Sequence, residues 1–161
     1  MNTNDYNRCV DEHADNLYRF LLKNIKNDEV ARDLVQESFM KLWEKRSGVE
    51  AKKSKSYLFT TAYHTMIDFI RKSSRDMSFE MVEHKEESYE KGYSDLKEIL
   101  NEAVEKLPVD QKAVVLLRDY EGYSYKEIAE ITDLTESQVK VYIYRARLFL
   151  KRYIVSPDLV I

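Results

Sequence analysis

GYSYKEIAEITDLTESQVKVYIYRARLFLKR, Gly122–Arg152, is the stretch on which the reading of this chain turns. Ser124 precedes an apolar-periodic run and Glu127 follows three residues later, the pattern of a capping box. The hydroxyl takes one unpaired backbone N–H and the carboxylate another. Thr135 and Gln138 repeat the pattern eleven residues on. Two helix starts so close, with Asp133 and Leu134 left for the turn, predict the tight elbow of a helix-turn-helix.

The second helix of the pair is two-sided. Val139, Ile143, Ala146 and Leu150 recur at helical spacing and make one buried stripe. The opposite side carries Ser137, Val141, Tyr144, Arg145 and Arg152, with Lys140, Arg147 and Lys151 on the flanks. Between Glu136 and Arg152 five basic residues face one acidic residue, in a chain whose formal net charge is −3. Such segregation is the footprint of a surface that meets phosphate. A solvated amphipathic helix would carry similar charge, but not two capping boxes around so short a turn.

Upstream, Leu96, Ile99, Leu100, Ala103, Val104 and Leu107 form a helical stripe ended by Pro108. Asp110 is placed to cap the next helix, which carries Ala113, Val114, Leu116, Leu117 and Tyr120 and stops at Gly122. From Arg75 to Lys97 the character changes. Seven acidic residues oppose four basic ones and large aliphatic residues are scarce, which predicts a mobile acidic linker.

The first half reads as three amphipathic helices. Val10, Leu17, Phe20, Leu21 and Ile25 share a face of the first, roughly Tyr6 to Ile25. The second, from Asn27-Asp28 to about Lys45, turns Ala31, Leu34, Val35, Phe39, Leu42 and Trp43 inward. Arg32, Asp33, Gln36, Glu37, Met40, Lys41 and Glu44 lie outward. That polar side is mixed in sign, so it suits solvent or a protein partner better than phosphate. Arg46–Ser56 is a loop that collects Lys52, Lys53 and Lys55. Ser56 caps a third helix to about Ser74, with Leu58, Phe59, Ala62, Ile67, Phe69 and Ile70 apolar. Thr61, His64, Thr65, Asp68, Arg71, Lys72 and Arg75 form its polar face. A basic loop before an aromatic-bearing helix suits single-stranded nucleic acid, although the spacing taken alone favours an aromatic stripe facing the core with a solvated charged end.

The expected fold is therefore all-α: two small helical domains, residues 1–75 and 96–155, joined by a flexible acidic linker over residues 76–95. At 161 residues and 43% hydrophobic content there is enough chain for one ordinary domain or two small ones. The 34% of charged residues and the three glycines suit helices rather than hairpins. No apolar run approaches a membrane span and the start is polar, which points to a cytoplasmic protein. Cys9 is the only cysteine, so no intrachain disulfide is possible. Cys9 and His13 stand four apart, but two ligands do not make a metal site. There is no phosphate-binding glycine loop and no nucleophile–base pair, so no enzyme, cofactor or small-molecule substrate is expected.

The order of segments resembles the sigma-70 family of RNA polymerase sigma factors, in its extracytoplasmic-function (ECF) group with only region 2 and region 4. DEVARDLVQESFMKLWEK (Asp28 to Lys45) is similar to region 2.2, with Asp33, Leu34, Gln36, Glu37, Phe39 and Trp43 at family positions. SYLFTTAYHTMIDFIRK (Ser56 to Lys72) is similar to regions 2.3 and 2.4. LPVDQKAVVLLRDYEGYSYKEIAEI and SQVKVYIYRARLFL are similar to region 4. The chain departs from the family at Tyr63-His64, where Arg-Asn is usual, and at Asp133, where a turn glycine is usual. It departs again at Val141, where a small residue is common.

The resemblance implies the partners and the division of labour. Core RNA polymerase would dock on Asp33, Gln36, Glu37 and Lys41. Ser137, Gln138, Lys140, Val141, Tyr144, Arg145 and Lys151 would read the −35 element in the major groove. Lys52, Lys53, Ser54, Lys55, Thr61, His64, Asp68, Arg71 and Arg75 would capture the opened −10 strand. Promoter DNA and an anti-sigma factor, often membrane-anchored, complete the set. The residues by themselves leave two alternatives, a dimeric duplex-binding regulator and a protein-only adaptor.

Overall fold

The computed structural model of the protein describes residues 1–76 and 95–155. Among them the regular structure is helical: α1 (Thr3–Ile25), α2 (Asp28–Glu44), α3 (Ser54–Asp76), α4 (Asp95–Glu105), α5 (Val109–Val115), α6 (Tyr125–Thr132) and α7 (Glu136–Val155). The expected linker, residues 76–95, lies outside the described residues save for its two end positions.

α1, α2 and α3 pack on one another around Leu17, Phe20, Leu21, Leu34, Leu42, Leu58 and Phe59, all buried. Asn2 caps α1 through a capping box with Asp5, and Asn27 caps α2 by accepting from the Val30 N–H at 3.0 Å. Only Lys26 and Asn27 separate the two helices. Lys26 turns the chain at φ 60°, a left-handed position that its backbone N–H supports by donating to Leu22 O at 2.7 Å.

Two expectations fail in this half for local reasons. Trp43 does not face the core: it is 37% exposed, lies edge-on to Tyr6 and carries the Arg46 guanidinium 3.6 Å from its ring. Ser56 does not cap α3. A short 3₁₀ turn at Ala51–Lys53 runs straight into a helix that has already begun at Ser54. A cap residue needs an extended backbone, and the chain at Ser54 already has φ −63° and ψ −37°.

α4, α5, α6 and α7 form the second unit, with α7 packed on the other three. Val104, Val114, Leu117, Ile128, Ile131, Val139, Ile143 and Ala146 are buried there. Asp110 does not cap α5. Pro108 occupies that position and makes no side-chain bond, and Asp110 stands within the first turn. After Val115 the helix widens into a π turn over Leu116–Tyr120, closed by the Glu121 N–H on Leu116 O at 3.1 Å. Gly122 then stops it at φ 79°, where a side chain would be strained.

The two units are closed against each other, an arrangement that helical periodicity does not specify. α6 lies on α3, where the Tyr123 ring meets Phe59 at 5.5 Å between centroids and the Lys55 ammonium sits 4.9 Å from its centre. At the other end of the contact, Lys112 Nζ donates to Asn24 O at 3.3 Å. That carbonyl lies in the last turn of α1, where helical partners run out. Lys26 and Glu105 add an ion pair at 3.0 Å. Burial pushes the Lys112 ammonium below its ordinary value, with Lys26 acting in the same direction and Glu105 opposing both.

Candidate nucleic-acid interface

The helix-turn-helix forms as its punctuation predicts. The Ser124 hydroxyl accepts from the Glu127 N–H at 3.1 Å, and the Glu127 carboxylate accepts from the Ser124 N–H at 2.8 Å. Asp133 ends α6 in the left-handed region at φ 63°, its N–H on Ala129 O, so aspartate does here what glycine would do elsewhere. Thr135 then opens α7: its hydroxyl accepts from the Gln138 N–H at 3.0 Å, and Gln138 Oε1 accepts from the Thr135 N–H at 2.9 Å.

The buried stripe of α7 is Val139, Ile143, Ala146 and Tyr153, with Leu150 half-buried. Ser137, Gln138, Lys140, Val141, Tyr144, Arg145 and Lys151 are all exposed. Val141 and Tyr144 are large apolar or aromatic groups left exposed, at 42% and 67%. Two of the cations on α7 are engaged within the unit. Arg147 forms a two-pronged ion pair with Asp119, and Lys140 leans 5.7 Å from the Tyr125 ring. Arg145 has no ion-pair partner among the described residues. The positive charge of α7 is thus sorted, with Arg147 bracing the unit and Arg145 facing solvent.

On α3 the residues Thr61, His64, Asp68, Arg71 and Arg75 follow one another at steps of three and four and so share a face. His64 stands edge-on to Tyr63 at 5.3 Å, and Arg71 pairs with Asp68 at 3.3 Å. Lys52 and Lys53 are exposed on the short turn before the helix. Three groups of this half sit differently from a strand-reading surface. Ser54 is buried, its hydroxyl donating to Ala51 O at 2.8 Å. Lys55 is half-buried under Tyr123. Thr65, assigned to the polar face, is buried, donates to Thr61 O and accepts from Lys41 Nζ at 3.3 Å. Phe59 and Tyr63 are buried as well, so in this arrangement their rings are core rather than a stacking platform.

On α2, Asp33, Gln36, Glu37 and Lys41 are exposed along one side, with Lys41 and Glu37 paired at 3.2 Å. Among them sits Met40, 60% exposed, which the sequence places outward but which the expected docking set leaves out. Its signal in the sequence was a long apolar residue on an otherwise charged face, the usual make-up of an anchor in a protein contact. No three His, Cys, Asp or Glu side chains gather into a metal site among the described residues. No described helix is long and apolar enough to cross a membrane.

Residues 9–76 match the model of sigma-70 region 2, and residues 97–150 match that of sigma-70 region 4. The chain is 34% identical to the RNA polymerase sigma factor SigV of Bacillus subtilis over 94% of its own length and 92% of that protein's. It is 28% identical to the ECF RNA polymerase sigma factor SigM of the same organism, over 86% and 88%. Among solved structures, the sigma factor RpoE in complex with the anti-sigma factor NepR from Bartonella quintana superposes with a TM-score of 0.79. That match is 25% identical and covers 96% of this chain and 98% of that one. Two helical units with these matches, in this order and over nearly the whole length, make the chain a member of the sigma-70 family, an RNA polymerase sigma factor of the ECF group.

Proposed function

We propose that residues 1–75 dock on core RNA polymerase and hold the opened −10 strand, while residues 96–155 read the −35 element, the two joined by residues 76–95. The chain directs polymerase to particular promoters and helps open them, and the polymerase carries out the chemistry. It has no catalytic role of its own and works in the cytoplasm, where polymerase is.

One observation carries this reading: the outer face of α7. Its inner side is packed on the rest of the unit, yet Val141, Tyr144 and Arg145 stand in solvent directly after a capped first turn. That is the presentation a major-groove helix needs. Asp33, Gln36, Glu37 and Lys41, around Met40, supply the polymerase face. Lys52, Lys53, Thr61, His64, Asp68, Arg71 and Arg75 supply the −10 face, and Lys55 joins them once Tyr123 is drawn away. An anti-sigma factor, the partner named with the similar solved chain, would hold the protein inactive by covering these surfaces.

Run-off transcription on a genomic fragment library tests the proposal. Discrete transcripts are expected only when this chain and cognate core polymerase are both present. Tight binding of the chain alone to a palindromic duplex, with no transcripts, would make it a dimeric regulator instead. Reversing charge at Asp33 and Glu37 should lower affinity for core by about tenfold or more while leaving the helical circular dichroism unchanged, the scale expected where charged groups in an interface lose their partners. Unaltered capture of core by the folded double variant would move the docking face elsewhere.

A further inference from the structure

We infer that Gln138 and Val141 together read a thymine in the −35 element, an inference that rests on the sigma-factor reading of α7 given above. Gln138 Oε1 accepts from the Thr135 N–H at 2.9 Å and lies 3.3 Å from the Thr135 hydroxyl. A backbone N–H can only donate, so the atom facing it must be the carbonyl oxygen of the amide. That oxygen has two lone pairs, and it accepts from both the Thr135 N–H and the Thr135 hydroxyl, so the acceptor of Gln138 is held by the helix cap. What it can offer DNA is its NH₂ group, which only donates. The familiar two-point contact of glutamine with adenine needs an acceptor for N6 and a donor for N7. Gln138 cannot make it while α7 stays capped. It can donate to thymine O4, to guanine O6 or N7, or by a single bond to adenine N7.

Val141 separates those choices. It lies three residues on, the neighbour of Gln138 on the same helix face, and it is 42% exposed. In the major groove thymine shows a C5-methyl group beside its O4 acceptor, whereas guanine and adenine show acceptors and no apolar group. A donor next to a branched apolar side chain matches the thymine edge at both points. Arg145, four residues beyond Val141, continues the same face towards a neighbouring base pair or phosphate.

The test uses the full chain bound to core polymerase, on promoters selected from a library randomised in the −35 element. Uracil is placed for thymine at each selected position in turn, which removes the methyl group and keeps O4. At one position the wild-type complex should lose about fourfold in binding, the worth of about one buried methyl group. Val141→Ala should bind the thymine and uracil forms of that position alike.

Gln138→Glu is the second arm. The carboxylate still accepts from Thr135, so the cap survives, but the donor is replaced by an acceptor. Preference at the same position should move from thymine to cytosine, whose N4 amino group donates, by about tenfold. 5-Methylcytosine should then be favoured over cytosine by the same methyl increment. Wild-type binding that ignores uracil at every −35 position overturns the inference, as does a Gln138→Glu variant that still prefers thymine. Failure of the wild type to transcribe from any library member would instead sink the sigma-factor reading, so the two failures are told apart.

Discussion

Tyr123 carries the tension of this fold at the scale of a single residue. Its side chain is buried between Phe59 and Lys55, and its hydroxyl has no hydrogen-bond partner among the described residues. Burial drives the phenol far above its ordinary value, with Glu121 and Glu127 adding to the effect. A buried donor left unpaired costs roughly 1–3 kcal/mol. Tyr123→Phe should therefore leave stability unchanged or raise it by about 1–2 kcal/mol in urea unfolding, because the ring stays and the unpaired group goes. A clear loss of stability would mean that the hydroxyl has a partner in solution. His13 is the complementary case. Burial, followed by the nearby Lys55, lowers its pKa, while Glu12 opposes. The folded state then binds fewer protons than the unfolded one, so the stability His13 contributes is complete above its ordinary value of 6.5. It is lost as pH falls from there through the lowered native value. Glu121, raised by its own burial, pulls the other way on acidification. The readout is thus the difference between wild type and His13→Gln, which should widen in favour of the variant as pH drops below 6.5.

At the scale of elements, the helix-turn-helix owes its register to local chemistry. Two reciprocal caps and one left-handed residue define it. Ser124→Ala should cost about 1 kcal/mol, the usual worth of an N-cap side chain. Asp133→Gly should gain up to about 1 kcal/mol, because glycine adopts positive φ without the steric cost a Cβ imposes. Thermal unfolding of the two variants checks both signs, and a destabilised Asp133→Gly would show that the carboxylate itself has a structural task. The caps were legible because each needs only two residues at a fixed spacing. Ser56 and Asp110 met the same pattern and failed, since their backbones were already helical or past the helix start. Trp43 misled for a different reason. Periodicity says which side of a helix a residue is on, but not how far the neighbouring helix extends to cover it.

For the whole molecule, the closed packing of the two units rests on a contact of mixed character. Phe59 against Tyr123 is apolar, whereas Lys112 against Asn24 O puts a lysine that is nine-tenths buried on a helix-end carbonyl. Lys112→Ala removes the donor and leaves that carbonyl unpaired. It should weaken closure by about 1–3 kcal/mol, the cost of leaving a buried acceptor unsatisfied. Fluorescent labels on the exposed ends of α1 and α4 should report a longer mean separation in the variant. An unchanged distance would assign closure to the remaining contacts, Phe59 on Tyr123 and the Lys26–Glu105 ion pair. Opening would also release Lys55 from the Tyr123 ring and return it to the basic turn with Lys52 and Lys53.

What the chain specified by itself is what short-range rules control. Apolar spacing of three and four placed the helices, capping pairs placed the elbow, and charge segregation marked the outer face of α7. Asp33, Gln36, Glu37 and Lys41 came out on one exposed side of α2 for the same reason, because a helix fixes which residues share a face. The tertiary structure alone decided which exposed-looking groups are covered. Ser54, Thr65 and Lys112 are buried by partners 24 to 88 residues away in sequence or by a turn whose path no local pattern encodes. That outcome depends on where side-chain atoms meet in space, and periodicity along a chain carries no information about that distance.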